Sequence, residues 1–444
     1  MISRRAFVGT VTTAAASAGA FVRSATGAAH ASMIGELAAT PGDIADIARD
    51  EDFWFRVQQA FTVDRSFTNL NNGGVSPSPL IVQEAMRRHQ EYCNTSPPPH
   101  ALWGELEPQR EVVRERIARK WGVNAEEIAL TRNASESLQI CQLGLDLEPG
   151  DEVLTSTVDY PRMITTFKQR ERRDGIVLKQ FKIPIPCEDS AKIVQLFEEN
   201  ITPKTRLVLM SHVVNITGQI LPVRDVVAMA RTKNGGIPVI VDGAHAFAHL
   251  DFKISDLQCD YYGVSLHKWL TAPHGTGLLY VRRDKVKSLW PMMAAESKLD
   301  DDIRKFEEIG THPAAPCLAI AEALTLHQGI GGARKEARLR YLRDYWAKRF
   351  IGRDGVRFHT SMNPAYSCGI ATMQLSGVDT RKLYGWLVHP KAKRHILTSP
   401  IKHEEFEGIR VTPNVYTTLD ELERFCDAIE YVLKNGVPAS MDEA

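Results

Sequence analysis

The sequence has no excess charge of either sign and no long hydrophobic run. Its 54 basic residues balance 54 acidic ones among 444 residues, and no basic cluster stands out. Nothing therefore attracts the chain to nucleic acid or to an anionic membrane surface. No apolar stretch is long enough for a membrane-spanning helix, and an apolar content of 43% is usual for a globular protein. We expect a globular protein that binds neither nucleic acid nor membrane.

The sequence also has no CxxC pair and no cysteine spacing typical of a metal site. An odd number of cysteines at wide intervals gives no disulfide framework. We expect most of them to be small buried apolar residues. The seven are Cys93, Cys141, Cys187, Cys259, Cys317, Cys368 and Cys426.

The N-terminal segment differs in character from the rest. Arg4 and Arg5 precede a modestly apolar stretch without acids, TVTTAAASAGAFV, and the small-residue pattern AHA follows at residues 29–31. This order predicts a twin-arginine export signal over residues 1–31, so that the mature protein is periplasmic or secreted after using the twin-arginine export machinery. The alternative is a disordered tail that contains an arginine pair. Because this route carries folded proteins, it also hints at a cofactor inserted before export.

Between residues 61 and 330, short apolar segments alternate with amphipathic ones. Several apolar segments have no polar alternation, as in parallel strands that are covered on both faces. The strand candidates are EIALTR, DEVLTST, IVLKQFKI, RLVLMSH, IPVIVDGAH, YYGVSLH and GTGLLYVRR. Such alternation predicts a large α/β domain with a mostly parallel sheet.

The flanking regions have a different pattern. Residues 32–60 read as a helical, acidic lead-in. From about residue 335 to 437, a long helix in GGARKEARLRYLRDYWAKRF precedes shorter strands and helices, which predicts a smaller α+β domain. Its last helix is expected to begin at Thr418, which forms a capping-box pattern with Glu421.

Chemically useful side chains follow one predicted strand after another. In open α/β sheets, ligands bind at the carboxyl ends of the strands, so these side chains should lie together. In chain order they are Ala134 and Ser135, Tyr160, His212 and Asn215, Asp242 and His245, and then Ser265, His267 and Lys268. A helix start, an aromatic ring, a carboxylate, an imidazole and a lysine are the parts that hold pyridoxal phosphate.

Each part has a physical task with that cofactor. The lysine amine condenses with the aldehyde, and a carboxylate beside the pyridine nitrogen keeps it protonated. The protonated ring can then withdraw electrons from the α carbon of the substrate. Hydroxyls and helix amides hold the phosphate. We therefore predict that Lys268 and Asp242 are the catalytic residues.

The sequence resembles the class V aminotransferases, which have the fold-type I pyridoxal-phosphate architecture, and among them the isopenicillin N epimerase-like branch. The resemblance covers about residues 60–435, and the layout is similar to that of exported relatives that mature the siderophore pyoverdine. The motifs that carry it are TNLNNGGVSPSP, TRNASESL, MSHVVNITGQILPV, VDGAHA, SLHKW with GTGLLY, and FEEIGT.

The resemblance implies a role for each residue around the cofactor ring. Lys268 forms the Schiff base and later moves the substrate proton. Asp242 pairs with the pyridine nitrogen. His245 and Asn215 lie near the phenolic oxygen, and Tyr160 stacks on the ring.

The same resemblance implies contacts with the phosphate and the substrate. Thr311 reaches the phosphate from the second subunit of a homodimer with shared active sites. Arg410 binds the substrate carboxylate, and Asn72 lies at the mouth of the site. The phosphate contacts within one chain are Ala134, Ser135, Ser265 and His267.

Two other interpretations remain open. Asp242, His245 and His249 could bind zinc in a metal-dependent hydrolase, since the two histidines are four residues apart. The chain could also be a catalytically silent binder on the same fold. Because the pyridoxal-phosphate interpretation already explains Asp242 and His245, we expect no metal.

These residues define the cofactor more closely than the reaction. Transamination needs Lys268 on one face only, whereas epimerisation needs a second base, for which His100, Tyr160 and Tyr366 are candidates. Cysteine desulfurases need a mobile cysteine before the substrate arginine, and SPIKHEEFEGIR has none. We favour an aminotransferase-like enzyme acting at the amine-bearing carbon of an amino acid or peptide-like substrate, with an epimerase or lyase as the alternative.

Overall fold

The computed structural model describes residues 32–389 and 394–438. The predicted export signal, residues 1–31, lies outside the described residues. Within the described ranges, no helix combines the length and apolar character needed to cross a bilayer. All seven cysteines are described; none is disulfide-bonded and five are buried, as predicted for small apolar residues.

A seven-stranded sheet organises the larger part of the chain. Its strands lie in the order β2-β8-β7-β6-β5-β3-β4, and every neighbouring pair is parallel except the two that include β8. All seven predicted strand segments form it, so the mostly parallel α/β fold is confirmed. The strands are β2 (Ile128–Thr131), β3 (Glu152–Ser156), β4 (Val177–Phe181), β5 (Thr205–Ser211), β6 (Val239–Asp242), β7 (Tyr261–Ser265) and β8 (Gly277–Val281).

The sheet separates two apolar cores. Alternate side chains of a strand enter different cores, because successive residues face opposite sides. In β6, Val239 and Val241 pack in one core and Ile240 in the other. Since helices cover both faces, every residue of β6, β7 and β8 is buried. This is why these segments are mostly apolar, with Asp242 and Ser265 only at their carboxyl ends.

The helices cover the sheet and lead into a second layer. Helix α13 lies within the predicted long helix of GGARKEARLRYLRDYWAKRF. The α-helices of the described residues are α1 (32–39), α2 (Ile44–Ile47), α3 (Glu51–Gln59), α4 (Leu80–Thr95), α5 (Arg110–Trp121), α6 (Ala134–Gly144), α7 (Pro161–Asp174), α8 (Ser190–Asn200), α9 (Val223–Arg231), α10 (Ile254–Leu257), α11 (Ala314–Leu318), α12 (Ile320–Ile330), α13 (Gly332–Ala347), α14 (Thr380–Val388) and α15 (Leu419–Asn435).

The second layer is a four-stranded antiparallel sheet in the order β12-β13-β10-β9. With α13, α14 and α15 it encloses a separate core, in which Trp346 packs edge-on against Phe425 at 5.5 Å. Thr418 caps α15 in the predicted capping box with Glu421. The strands of this sheet are β9 (Val356–Phe358), β10 (Ala371–Leu375), β12 (Ser399–Lys402) and β13 (Glu407–Val411).

The N-terminal part of the chain is tied to this second layer. Strand β1 (Thr68–Asn69) pairs in parallel with β11 (Ile396–Leu397). The lead-in helices contact α13, where Arg338 forms an ion pair with Glu51. The glycine-rich loop after β1 is bonded to both parts of the chain: the Asn72 amide donates to the Thr412 carbonyl oxygen at 3.2 Å, and the Ser76 amide donates to the His267 carbonyl oxygen at 3.0 Å.

A buried carboxylate joins two strand ends. Asp159 follows β3 and accepts hydrogen bonds from Thr155 and Ser156 of that strand. Its other oxygen accepts from the amide and hydroxyl of Ser211, at the end of β5, at 2.7 and 2.8 Å. These bonds fix the carboxyl ends of neighbouring strands and the position of Tyr160, the residue at which α7 starts.

Candidate active site

A cavity of about 510 Å³ lies at the carboxyl ends of the strands of the large sheet, and β12 and β13 contribute to its wall. Ten of the twelve predicted site residues line it, nine of them near the ends of strands of the large sheet and Arg410 from β13. They are Ala134, Ser135, Tyr160, Asn215, Asp242, His245, Ser265, His267, Lys268 and Arg410. His212, which the strand-end argument also places here, does not line the cavity; its Nδ1 is 3.0 Å from the Tyr262 hydroxyl.

Lys268 lies three residues beyond β7. Its Nζ is 3.1 Å from Nε2 of His245. Burial lowers the pKa of the amine to about 8; the negative charge of Asp242 opposes this shift, and the positive charge of Arg410 adds to it. Part of such an amine is uncharged near neutral pH, and the uncharged form is the nucleophile.

Asp242 is the last residue of β6, beside Gly263 of β7. One carboxylate oxygen accepts a hydrogen bond from the amide of Ala244 at 3.0 Å. Burial raises the pKa of the carboxyl, while the positive charge of Lys268 lowers it. The next residue, Gly243, packs closely against Tyr262: a Cβ there would lie 2.0 Å from the Tyr262 ring.

The start of α6 provides the anion-binding part of the cavity. Asn133 caps the helix, and the amide of Ala134 donates to the Ser265 hydroxyl at 2.9 Å. The amide and hydroxyl of Ser135 have no partner among the described residues, so both remain available to a phosphate. Gly277 of β8 allows this close approach, since a Cβ would lie 2.7 Å from the backbone of Asn133.

His267 lies beside this helix start. Its Nδ1 is 3.2 Å from the carbonyl oxygen of Thr276 and therefore carries the hydrogen of that bond. Burial, assisted by the charge of Lys268, lowers the pKa of the ring to about 4. A phosphate beside the free Nε2 would favour the protonated ring.

Arg410, on β13, is a buried cation without an ion-pair partner among the described residues. It donates to the carbonyl oxygen of Asn215 at 2.9 Å and to the side chain of Asn71 at 3.0 Å. Burial lowers its pKa to about 10. Its Nε and the Asn215 side-chain oxygen are buried without partners. Since buried polar groups are normally hydrogen-bonded, the unpaired donor of Arg410 fits an anionic ligand, whereas the Asn215 oxygen fits a hydrogen-bond donor.

Tyr160 stands on the rim of the cavity with 38% of its surface exposed. Its ring contacts no other ring within the described ranges. The exposure argues against an ordinary core residue and leaves a face available for stacking.

Asn72 does not lie at the mouth of the site, and that prediction is wrong. Its side chain is 0% exposed and donates to the carbonyl oxygens of Asn69 and Thr412. It also accepts from the Tyr416 hydroxyl. Its neighbour Asn71 makes the site contact instead, with Arg410, and the next residues, 73 and 74, line the cavity.

Thr311 does not line the Lys268 cavity of its own chain. It is exposed and borders a separate cavity of about 450 Å³, together with Trp103 and Arg114. The predicted contact with the phosphate of a second subunit stays a prediction.

The arrangement does not favour the zinc interpretation. His249 uses Nε2 to accept a hydrogen bond from the Gly369 amide at 2.9 Å, and its ring packs on Trp269 at 3.9 Å. In the part of the chain that the structure describes, no three histidine, cysteine or acidic side chains are grouped to hold a metal ion.

Known proteins resemble this chain over most of its length. Residues 68–392 match the sequence model of the family described as Aminotransferase class-V. The chain belongs to this family. Class V aminotransferases are pyridoxal-phosphate-dependent enzymes of fold-type I, so the predicted family, fold and cofactor are confirmed.

Three relatives illustrate the range of the family. The chain is 29% identical over 394 residues to isopenicillin N epimerase of Streptomyces clavuligerus, covering 85% of this chain and 98% of that protein. It is 30% identical over 291 residues to a probable cysteine desulfurase of Aeropyrum pernix, covering 61% and 68%. A mutant of C-DES with glycine covalently linked to its PLP cofactor matches with a TM-score of 0.71 at 23% identity, over 81% of this chain and 95% of that one.

Replacing Asp242 by asparagine should lower the pKa of Lys268 below about 8, because the carboxylate charge raises it. In cofactor-free protein, the rate at which an acylating reagent labels Lys268 would be followed against pH by peptide mass spectrometry. The midpoint of the profile should move to lower pH. Asp256→Asn, the same change at an exposed residue, serves as the control. An unchanged or higher midpoint would show that the two side chains are not coupled.

Proposed function

We propose that this protein is an exported pyridoxal-phosphate enzyme that acts at the amine-bearing carbon of an amino acid or peptide-like substrate, with an aminotransferase-like outcome. The observation that carries the proposal is one cavity with a half-buried lysine, a carboxylate from the preceding strand and an arginine without an ion-pair partner among the described residues. The lysine and carboxylate suit the cofactor, and the arginine suits a carboxylate of the substrate.

The side chains divide the work of binding. Ser135, Ser265 and His267 suit the phosphate, and Asp242 suits the pyridine nitrogen. When bound, the cofactor withdraws electrons from the α carbon of the substrate. Lys268 is the amine that can take a proton from that carbon and return it, because its pKa of about 8 suits transfer in both directions near neutral pH.

The choice of transamination rests on the supply of bases. Of the three candidate second bases, only Tyr160 lines the cavity; His100 lies on the surface beside Glu105, and Tyr366 is not part of the wall. Transamination needs no second base. Epimerisation is the second candidate, supported by the similarity to isopenicillin N epimerase over 98% of that protein. Tyr160 would then be its second base.

Desulfuration is less well supported, despite the desulfurases among the relatives. The strand pair β12–β13, which leads to Arg410, carries no cysteine. Cys426 is the one cysteine within residues 394–438, and it is buried in α15. No thiol on this side of the cavity could accept sulfur.

Cofactor uptake tests the proposed function directly. Adding pyridoxal phosphate to cofactor-free protein should produce visible absorbance, because the Lys268 amine joins to the aldehyde. Lys268→Ala should lose this absorbance, whereas Lys287→Ala, at an exposed position, should retain it. Wild-type absorbance that persists in Lys268→Ala would contradict the assignment.

Replacing Arg410 by glutamine should weaken the binding of α-amino acids on the order of 100-fold, the effect of losing a charge-assisted hydrogen bond in a buried site. Spectral titration of the loaded protein with glutamate, and with 4-aminobutyrate as the matched amine without an α-carboxylate, would measure the effect. Glutamate should lose affinity and 4-aminobutyrate should not. Equal losses would mean that Arg410 stabilises the fold rather than binding the substrate.

In wild type, release of a 2-oxo acid would indicate transamination, and a D-amino acid product would indicate epimerisation.

We also propose export, supported by Arg4, Arg5 and the apolar stretch that follows them. Changing both arginines to lysine should retain the protein in the cytoplasm, as cell fractionation would measure. Unchanged export would contradict the proposed route.

We also propose shared active sites in a homodimer, supported by the exposure of Thr311 away from its own Lys268 cavity. A monomer in sedimentation experiments would contradict the proposed homodimer.

A further inference from the structure

Three side chains form a hydrogen-bonded series that ends at the reactive lysine. The indole Nε1 of Trp269 lies 3.4 Å from Nδ1 of His245. On the other side of the same ring, Nε2 lies 3.1 Å from Nζ of Lys268. Trp269 and His245 are both buried. Trp269 follows Lys268 in the chain, yet its indole reaches the lysine only through the histidine.

The series determines which nitrogen of His245 carries the hydrogen. An indole N–H can only donate, so Nδ1 must accept and has no hydrogen of its own. Burial, together with the charges of Lys268 and Arg410, lowers the pKa of His245 well below its usual value, so the ring is neutral. A neutral imidazole has one N–H, and in His245 this must be at Nε2.

A second histidine four residues away has the opposite arrangement. Nε2 of His249 accepts from the amide of Gly369 at 2.9 Å, so its hydrogen lies at Nδ1. Both rings are buried and both lie beside Trp269. The difference between them therefore comes from their hydrogen-bond donors and not from their burial.

The tautomer of His245 affects the charge of Lys268. A charged ammonium group can only donate hydrogen bonds, so it cannot bond to Nε2 when Nε2 carries a hydrogen. The lone pair of a neutral amine can accept a hydrogen bond from that Nε2–H group. We propose that Trp269 is a positioning residue, whose indole N–H fixes the Nε2–H tautomer of His245 and thereby favours the neutral, nucleophilic form of Lys268.

The tautomer itself does not depend on the proposed function; only the benefit to cofactor attachment does. The other charged or titratable groups that interact with Lys268 or His245 are Asp242, Arg410, His249 and His267. Behind the indole, the Lys335 amine donates to the carbonyl oxygen of Trp269. A change of the indole alone leaves all of these groups in place.

The first test is a measurement on wild type. Nitrogen-15 NMR of histidine-labelled, cofactor-free protein distinguishes the two tautomers, and His245→Leu identifies the His245 signal among the 14 histidines. We expect the hydrogen at Nε2. A hydrogen at Nδ1 would overturn the proposal without any variant of Trp269.

The second test removes the donor. In Trp269→Phe, the hydrogen of His245 can move to Nδ1, and the unprotonated Nε2 can then accept a hydrogen bond from the ammonium form of Lys268. The pKa of Lys268 should therefore rise. The rate of Lys268 acylation at pH 7 in cofactor-free protein should then fall roughly five-fold, the effect of one ordinary hydrogen bond. The NMR signal of His245 should move toward the Nδ1–H tautomer.

Two comparisons separate this effect from a loss of packing. Trp346→Phe is the matched control, because that indole is equally buried and its N–H has no partner. It should change neither signal nor rate. In a His245→Leu background, adding Trp269→Phe should have no further effect on the pH profile. A slower rate in Trp269→Phe with an unchanged tautomer and unchanged midpoint would overturn the proposal.

These outcomes are independent of the cofactor experiment. A protein that shows the expected tautomer and pH profile but takes up no pyridoxal phosphate would refute the proposed function and retain this inference. A protein that takes up the cofactor but has the hydrogen of His245 at Nδ1 would support the proposed function and refute this inference.

Discussion

The electrostatic coupling of Lys268 and Asp242 in one buried cavity is the constraint on which the site depends. Burial alone would discharge both groups, lowering the pKa of the amine and raising that of the acid. Each charge opposes the shift of the other. The outcome is an amine with a pKa of about 8 beside an acid whose ionised form is favoured by the charge of that amine. The parallel pairing of β6 and β7 makes this possible, since it brings the ends of two strands to the same edge of the sheet.

The second sheet adds what the first cannot supply. Arg410 comes from β13 and is fixed by Asn71, which lies more than 300 positions earlier in the sequence. Its two hydrogen bonds to neutral oxygens do not neutralise its charge, and burial of an unpaired cation is costly. This cost is offset when a bound anionic ligand forms an ion pair with the buried cation. Both layers line the cavity. In the proposed function, the first layer holds the cofactor and the second binds the anionic end of the substrate.

Much of this architecture could be predicted from the sequence, because parallel strands buried on both faces must be apolar throughout. The seven strands followed from that pattern, and the chemistry-bearing residues followed from their position just after the strands. The pattern of apolar residues does not predict the direction in which an individual side chain points. Asn71 and Asn72 are adjacent and chemically identical, yet one contacts Arg410 and the other is buried against Asn69 and Tyr416. The sequence shows Trp269 only as part of the SLHKW motif, since the direction of an indole N–H depends on tertiary packing. Strand β8 reverses direction because the connection from β7 contains no crossover helix.

We expect Lys268 to be the one residue that becomes covalently joined to the cofactor. Borohydride reduction of the protein as isolated, followed by peptide mapping, measures this directly. We predict a single pyridoxyl group on the peptide that contains Lys268. A pyridoxyl group on another lysine, such as the buried Lys335, or none after the protein has been supplied with the cofactor, would contradict it.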